Sequence, residues 1–200
     1  MLPYFTFPIS SPKNIKIKYM NLRSLTRNFE LMKNEFRHYD LLVASEIRVK
    51  ESHLTYEHKQ NVDYFCNRNV AICFKHKLKR HITNVKNIGD YAIAVTIKFK
   101  KRKSFTVVGV YLPPKYKGNM TYVYNSIRKI KNPYIVCGDF NKNYKIINLI
   151  SRDATQQNDW PTRGDYLLDY VFSKNMELLD LKYKDNIALD HKIITMEYKL

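Results

Sequence analysis

The chain has 200 residues, of which 44% are hydrophobic and 26% charged, and this composition favours a folded globular protein over a disordered one. Lys and Arg total 35 against 18 Asp and Glu, a formal net charge of +17. This excess predicts a polyanionic partner, nucleic acid first and an anionic membrane surface second. The sequence is also rich in Lys, Asn, Ile and Tyr, so codon bias could supply part of the lysine count.

Several classes of protein are excluded by simple sequence features. No apolar run approaches the roughly 20 residues of a membrane span, and residues 1–7 lack the pattern of a signal peptide. The three cysteines, Cys66, Cys73 and Cys137, include no CxxC pair, which argues against a disulfide scaffold or a cysteine–zinc site. We therefore expect one intracellular domain over 1–200, nuclear or cytoplasmic, and we take it as a monomer.

Apolar residues recur with two different spacings along the chain. Residues 15–19 alternate apolar and polar, the period of a strand with one buried face. Residues 25–36 carry apolar side chains at helical spacing and predict an amphipathic helix that continues to about Tyr39. A second helix is predicted over 123–130. The other predicted strands are 41–44, 70–74, 93–99, 105–112, 134–137, 167–172 and 193–198. Many strands with about two helices between them favour two packed sheets flanked by helices.

A basic run separates two of the predicted strands. Lys100-Lys101-Arg102-Lys103 lies between 93–99 and 105–112. The simplest interpretation is the solvated tip of a hairpin, and a nuclear-localisation cluster is the less favoured alternative.

Polar residues follow the ends of several predicted strands. Glu46 follows 41–44, Asp139 and Asn141 follow 134–137, and Asn21 and Tyr111 close two others. Loops beyond strand ends often carry functional groups, because the strands hold them rigidly while the loops stay open to a ligand. Each residue also has a plainer interpretation: the Asp139 corner could be an ordinary turn, and Asn21 could cap the helix after it.

Three of the acidic residues could hold a metal ion. Glu46, Asp139 and Asp190 offer the hard oxygen ligands that Mg²⁺ or Mn²⁺ prefers, and no His/Cys cluster offers a zinc alternative. Asp190 and His191 are adjacent, and adjacent strand residues point to opposite faces. His191 therefore needs a different carboxylate partner, and Asp169 is the candidate.

Taken in order, these residues resemble the endonuclease/exonuclease/phosphatase superfamily of DNase I-like enzymes, and in motif style its apurinic/exonuclease III and LINE-type retrotransposon branches. Each element is weak alone, but six in order over 15–198 make a strong signal. The elements are Tyr19-Met20-Asn21-Leu22-Arg23-Ser24-Leu25, Leu42-Val43-Ala44-Ser45-Glu46, Val110-Tyr111-Leu112-Pro113-Pro114, Val136-Cys137-Gly138-Asp139-Phe140-Asn141, Leu168-Asp169-Tyr170-Val171-Phe172 and Asp190-His191.

The resemblance implies an α/β fold, a four-layer α/β/β/α sandwich of two mostly antiparallel sheets with the site at one edge. It also implies a Mg²⁺-dependent phosphodiesterase, with Mn²⁺ as an alternative ion, and roles for individual residues. The implied metal residues are Glu46, Asn21 and Asp190. The implied catalytic residues are Asp139 and Asn141 at the attacking water, Asp169 holding His191 at the scissile phosphate, and Tyr111 beside the phosphate or leaving group. The implied substrate-binding residues are Asn21, Arg23, Thr162 and Arg163.

The sequence departs from the family pattern in two ways. Leu189 stands where the family usually has Ser before the Asp-His pair, which removes one supporting hydrogen bond. The chain is also short for the family, so its surface loops are trimmed.

Three functions remain open at this point. The first is a DNA endonuclease that nicks its substrate with Mg²⁺. The second is a phosphatase for a small or lipid phosphate, because the same centre serves both reactions. The third is a nucleic-acid-binding relic without catalysis, against which the retained acidic residues argue.

Overall fold

The computed structural model describes residues 12–50, 53–114 and 120–200, so the expectation for residues 1–7 lies outside the described part of the chain. The described strands form a seven-stranded and a six-stranded sheet. The first sheet contains β1 (Asn14–Asn21), β2 (Leu41–Ser45), β3 (Thr55–Lys59), β4 (Val62–Cys66), β5 (Val70–Phe74), β12 (Glu177–Lys184) and β13 (Ile193–Lys199). The second contains β6 (Ile82–Ile88), β7 (Ala92–Ile97), β8 (Phe105–Tyr111), β9 (Tyr134–Asp139), β10 (Thr155–Gln156) and β11 (Asp169–Lys174).

Each sheet has one parallel strand pair near its centre. The strand orders are β12-β13-β1-β2-β5-β4-β3 and β10-β11-β9-β8-β7-β6. β1 runs parallel to β2 and β8 runs parallel to β9, while the other pairs are antiparallel. The carboxyl ends of each parallel pair therefore lie at the same edge of their sheet. This arrangement brings together the polar residues that follow the predicted strands.

Helices cover the outer faces of both sheets. α1 (Leu25–Phe36) packs on the first sheet, and α2 (Met120–Arg128) and α3 (Tyr144–Ser151) pack on the second. Two short 3₁₀ turns, His76–His81 and Gly89–Tyr91, join strands. The predicted four-layer α/β/β/α sandwich is confirmed. None of the helices among the described residues has the length and apolar character needed to cross a membrane.

The main core lies between the sheets, and it follows from the two-residue period of the strands. In β1 the side chains of Ile15, Ile17 and Tyr19 enter the core between the sheets, whereas Met20 packs on the side of α1. Asn21 is two residues beyond Tyr19, so the same alternation directs it inward at the edge of the core. The residues predicted to form the site thus lie on the same face of the strands as the core between the sheets.

Gly138 is required by close approach of two backbones. A Cβ built at this position would overlap the backbone carbonyl of Val110 on the neighbouring parallel strand β8. Only glycine lets the end of β9 come this close, which explains why it precedes Asp139 in the corner.

The structure corrects several predicted element boundaries. α1 ends at Phe36 rather than near Tyr39, because the amide of Arg37 turns back to the carbonyl of Asn34. The expectation of about two helices was wrong: α3 is a third among the described residues. Asp190 and His191 precede β13 rather than lie within it, so the strand alternation expected for this pair was also wrong.

Candidate active site

Strand register places three predicted residues side by side at one edge of the second sheet. Tyr111 on β8 pairs with Asp139 on β9, and Asp139 pairs with Asp169 on β11. Facing side chains on adjacent strands lie about 5 Å apart at Cβ. From the opposite sheet, Asn21 of β1 reaches the same place. The predicted residues thus converge although they are distant in sequence.

Asp139 is buried and held through both carboxylate oxygens. Asn21 Nδ2 donates to Oδ2 at 2.9 Å, and the backbone amide of Asn141 donates to Oδ1 at 2.8 Å. Burial and, next, the nearby charge of Asp169 raise the pKa of Asp139 to about 8, against the opposing effect of His191. Negative charge at Asp139 is therefore costly unless a cation compensates it.

The predicted pairing of His191 with Asp169 is present. Nδ1 of the buried imidazole lies 2.7 Å from Asp169 Oδ2, and the hydroxyl of Tyr19 donates to Asp169 Oδ1 at 2.6 Å. Burial lowers the pKa of His191, but the hydrogen bond and charge of Asp169 outweigh it, so the pKa is raised overall. With Nδ1 engaged, Nε2 is the ring nitrogen left for a substrate. Tyr19 was not among the predicted site residues, although its inward position in the alternation of β1 was an available signal.

Thr162 has a different place from the one predicted. It is fully buried, and its Oγ1 accepts hydrogen bonds from the amides of Leu168 and Asp169 at 3.1 and 3.0 Å. A side chain enclosed in this way fixes the start of β11 and does not face a substrate. Asn158 assists by donating to the carbonyl of Asp169 at 2.8 Å. Thr162 was predicted to contact substrate. Its enclosed hydroxyl instead holds the backbone of Asp169 in place.

Glu46 lies on the other side of the site, where Arg48 forms an ion pair with its carboxylate. Burial raises the pKa of Tyr111 to about 12, with further contributions from the charges of Glu46 and Asp139 and opposition from Arg48. Tyr111 therefore remains a neutral hydroxyl at physiological pH. Glu46 directly follows Ser45, which pairs with Asn21 in the parallel register of β1 and β2, so its carboxylate comes from the strand end beside Asn21.

Asp190 is engaged by two arginines. Its Oδ2 accepts from the guanidinium of Arg23 and lies 2.7 Å from Nε of Arg163. The structure thus groups these three predicted residues at the rim of the site. The predicted metal role of Asp190 competes with this double ion pair at Oδ2, because both guanidinium groups engage that oxygen.

Four of the eight non-glycine residues with positive φ in the described part of the chain lie at or beside the site. Arg23, Glu46, Arg48 and Asn141 all have positive φ values, between 48° and 57°. Non-glycine residues rarely adopt this conformation, and it is most often retained at functional sites. These residues closely follow β1, β2 and β9, the strands that end at the site.

The donor set fits a divalent cation. Among the described residues, one group of three metal-capable side chains is tightly clustered: ligand atoms of Asp139, Asp169 and His191 all lie within 4.8 Å of one another, and all three residues are buried. The carboxylate of Glu46 adds a further oxygen nearby. Buried carboxylate oxygens of this kind suit Mg²⁺ or Mn²⁺, and a cation would stabilise the ionised form of Asp139, which burial disfavours.

A cleft of about 760 Å³ opens beside the buried centre. Asn141, Arg163 and Asp190 line it together with exposed Tyr166, and the ammonium of Lys142 lies 4.0 Å from the centre of the Tyr166 ring. Lys142 and Tyr166 belong to none of the recognised sequence motifs, so neither was predicted as a site residue. Their position next to the Asp139 corner and the Thr162 loop was the available signal.

Comparison with known proteins gives fold-level matches. No protein-family model and no curated protein sequence matches the chain. Among solved structures, the catalytic domain of human Nocturnin has a TM-score of 0.63 at 16% identity, covering 94% of this chain and 93% of that one. The 3′ phosphatase NExo from Neisseria, bound to a product DNA hairpin, has a TM-score of 0.63 at 16% identity, covering 93% and 100%.

A retrotransposon enzyme has the same degree of structural similarity. The endonuclease domain of TRAS1, a telomere-specific non-LTR retrotransposon, gives a TM-score of 0.63 at 14% identity, covering 94% of this chain and 99% of that one. The chain therefore shares the fold of these structures, the DNase I-like fold that the ordered motifs predict.

Proposed function

We propose that this protein is a Mg²⁺-dependent phosphodiesterase that nicks DNA. The observation that carries the proposal is the buried cluster of Asp139, Asp169 and His191, with His191 Nδ1 tied to Asp169 at 2.7 Å. Buried titratable groups with shifted pKa values and specific charge partners mark functional sites. The fold brings this cluster to an edge that opens into a cleft, where a phosphate can enter.

The contacts of each residue suggest its role in hydrolysis. Asp139, held by Asn21 and Asn141, accepts the proton of the attacking water. Asn141 donates from Nδ2 to the carbonyl of Leu112 at 2.7 Å, which leaves Oδ1 to orient that water. His191 donates from Nε2 to a phosphate oxygen, and the neutral hydroxyl of Tyr111 donates beside it.

The cation would be held by Glu46 with Asn21, against the oxygens of Asp139. Bound there, a divalent ion neutralises phosphate charge and stabilises the leaving oxygen. Asp190 orients Arg23 and Arg163 toward the substrate backbone, where guanidinium groups bind phosphate in a planar, two-point fashion.

The choice of nucleic acid as substrate rests on charge. The net charge of +17 favours a polyanion, and the cleft adds Lys142 and Arg163 to the arginine at position 23. NExo with its DNA hairpin and the TRAS1 endonuclease, which share the fold, support DNA as the polymer.

A plasmid-nicking assay tests the proposal. We expect supercoiled plasmid to be nicked with Mg²⁺ and left intact with EDTA. Asp139→Ala should reduce the rate by about 10² to 10⁴, the usual contribution of general acid–base groups. Asp180→Ala, which removes an exposed carboxylate on β12, is the matched control and should keep the wild-type rate.

Two results would contradict the proposal. Equal nicking by wild type and Asp139→Ala would remove Asp139 from the chemistry. Release of phosphate from a soluble inositol phosphate, with no action on plasmid, abasic duplex or single-stranded RNA, would assign the same centre to a phosphatase.

A further inference from the structure

A second strongly basic region lies at the pole of the sandwich opposite the candidate active site. We define the distal basic surface as the exposed basic residues that line two neighbouring cavities of about 570 and 320 Å³. These residues are Lys98, Lys101, Arg102, Lys103, Lys131 and Lys199. Within the described part of the chain, no acidic side chain lines either cavity. At the active-site pole, by contrast, Arg23, Arg48 and Arg163 are paired with carboxylates.

Strand direction shows how far apart the two poles lie. β8 starts next to the distal basic surface at Phe105 and ends in the active site at Tyr111. Six residue steps of about 3.3 Å separate the two by roughly 20 Å. A phosphate at the catalytic centre therefore cannot also touch the distal basic surface, which must bind a different group.

Most lysines of this surface lack carboxylate partners, although Lys199 pairs with Glu177. Among the described residues, Lys98, Lys101, Lys103 and Lys131 form no ion pair. Lysines elsewhere are mixed: some pair, such as Lys18 and Lys184 with Glu35, and what sets the distal basic surface apart is that its unpaired lysines line adjoining cavities. Unpaired like charges repel one another, so this arrangement favours an external anion.

The cavities also carry groups that suit a flexible nucleic acid. Ser104 donates to Asn132 Oδ1 at 2.9 Å, which leaves the Asn132 amide nitrogen to donate outward. Pro133 and Met176 add apolar surface between the lysines. A positively charged groove that follows the backbone is the sequence-independent part of single-strand binding.

We propose that the distal basic surface binds a single-stranded segment of nucleic acid that lies outside the scissile region. A duplex has a persistence length of about 150 base pairs, too stiff for one short duplex to contact both poles, whereas a single strand bends freely around the protein. The surface would hold the protein on a long polymer between cleavage events. The identity of the polymer rests on the proposed function, but the binding itself does not require catalysis.

Binding in EDTA separates this surface from the active site. The variant Lys98→Gln/Lys103→Gln/Lys131→Gln removes three exposed charges from the larger cavity. The control Lys59→Gln/Lys86→Gln/Lys182→Gln removes three exposed charges from other faces. Affinity is measured by fluorescence anisotropy against salt concentration. The probes are a long single strand and a short one of about 6 nucleotides, within the size that one groove engages.

For the long strand, we expect the distal variant to reduce the slope of log affinity against log salt by about 2, because each lost phosphate contact contributes about 0.7. Affinity at physiological salt should fall by about 10- to 100-fold. The control should change the slope by less than half as much. Nicking of a short duplex should be unchanged in both variants, which also shows that they fold.

Three outcomes would overturn the proposal. The distal and control variants could lose affinity equally, which would mean that only total charge matters. The distal variant could bind the long single strand as wild type does. It could instead lose binding to phosphatidylserine vesicles alone, which would make a membrane surface the partner. If the distal variant loses affinity as expected but neither wild type nor any variant nicks DNA, the proposed binding surface is supported and the proposed catalysis is rejected.

Discussion

At the scale of single residues, the protonation of His191 is controlled by its neighbours. Asp169 raises the pKa of His191 against the opposing effect of burial. If the imidazolium donates to the phosphate, activity is present below the raised pKa and is lost as pH rises through it. We predict that Asp169→Asn lowers the pKa of His191 and shifts the basic limb of the kcat/KM profile to lower pH, in addition to reducing the rate.

A matched variant tests the electrostatic part of this prediction. Tyr19→Phe removes the 2.6 Å hydrogen bond to Asp169 but keeps the carboxylate, so the basic limb should stay near its wild-type position. A profile for Asp169→Asn with an unchanged basic limb would show that the charge of Asp169 does not set the titration of His191.

Asp190 offers a second prediction at this scale, because its two proposed roles have different consequences. As the partner of Arg23 and Arg163, it should affect substrate binding. We therefore expect Asp190→Asn to raise KM several-fold while the Mg²⁺ concentration needed for half-maximal activity stays unchanged. A metal ligand would behave in the opposite way: titration of activity with Mg²⁺ would then show weakened metal dependence.

At the scale of secondary-structure elements, the corner after β9 depends on Gly138. A Cβ at this position meets the rigid backbone of Val110, and backbone cannot move aside as a flexible side chain can. We predict that Gly138→Ala destabilises the protein by about 3 kcal/mol or more, since overpacking with backbone displacement reaches this size. Urea denaturation measures it.

Gly89→Ala provides the comparison for this prediction. Gly89 has a φ of +62°, and no atom lies within 4 Å of the position that a Cβ would take. Its substitution should therefore cost only about 1 kcal/mol, from backbone conformation. Equal losses for the two variants would show that the contact with β8 does not matter.

Buried elements could be predicted from the sequence, whereas exposed edge elements could not. β5 lies at the predicted residues 70–74 because every side chain in it is buried and apolar. β3 and β12 expose most of their side chains, so hydrogen bonds to neighbouring strands, not apolar pattern, define them. The turn before β4 uses Gln60 and Asn61 at positive φ in place of the Asn-Gly signal of short hairpins.

The candidate site divides in the same way. The pairing of Asp169 with His191 could be predicted, because an imidazole at a strand end needs a carboxylate and the motif order supplies one. The contacts of Thr162 and Asp190 could not be predicted from the sequence. Whether a threonine is enclosed, or whether an aspartate meets two arginines, depends on how the loop after β10 folds back over the start of β11.

At the scale of the whole molecule, the buried acidic centre makes stability depend on pH and on metal. The folded-state pKa of Asp139 is raised from 3.8 to about 8, so the folded protein binds this proton more tightly than the unfolded chain does. Its contribution to stability is therefore lost as pH rises across that interval. His191 acts in the same direction, because its raised pKa makes stability fall as pH rises through the folded-state value.

We therefore predict that the melting temperature in EDTA falls between about pH 5 and pH 9, and that Mg²⁺ flattens this slope by compensating the charge of Asp139. At neutral pH, Mg²⁺ at about 100 times its dissociation constant should add about 2.7 kcal/mol to the free energy of unfolding. Measurement above pH 5 avoids Glu35 and Asp63, whose lowered pKa values make stability fall in acid instead. Asp139→Ala should lose most of the slope and the Mg²⁺ effect. If wild type melts at one temperature across this range in EDTA and gains nothing from Mg²⁺, the site formed by Glu46, Asn21 and Asp139 does not bind the metal.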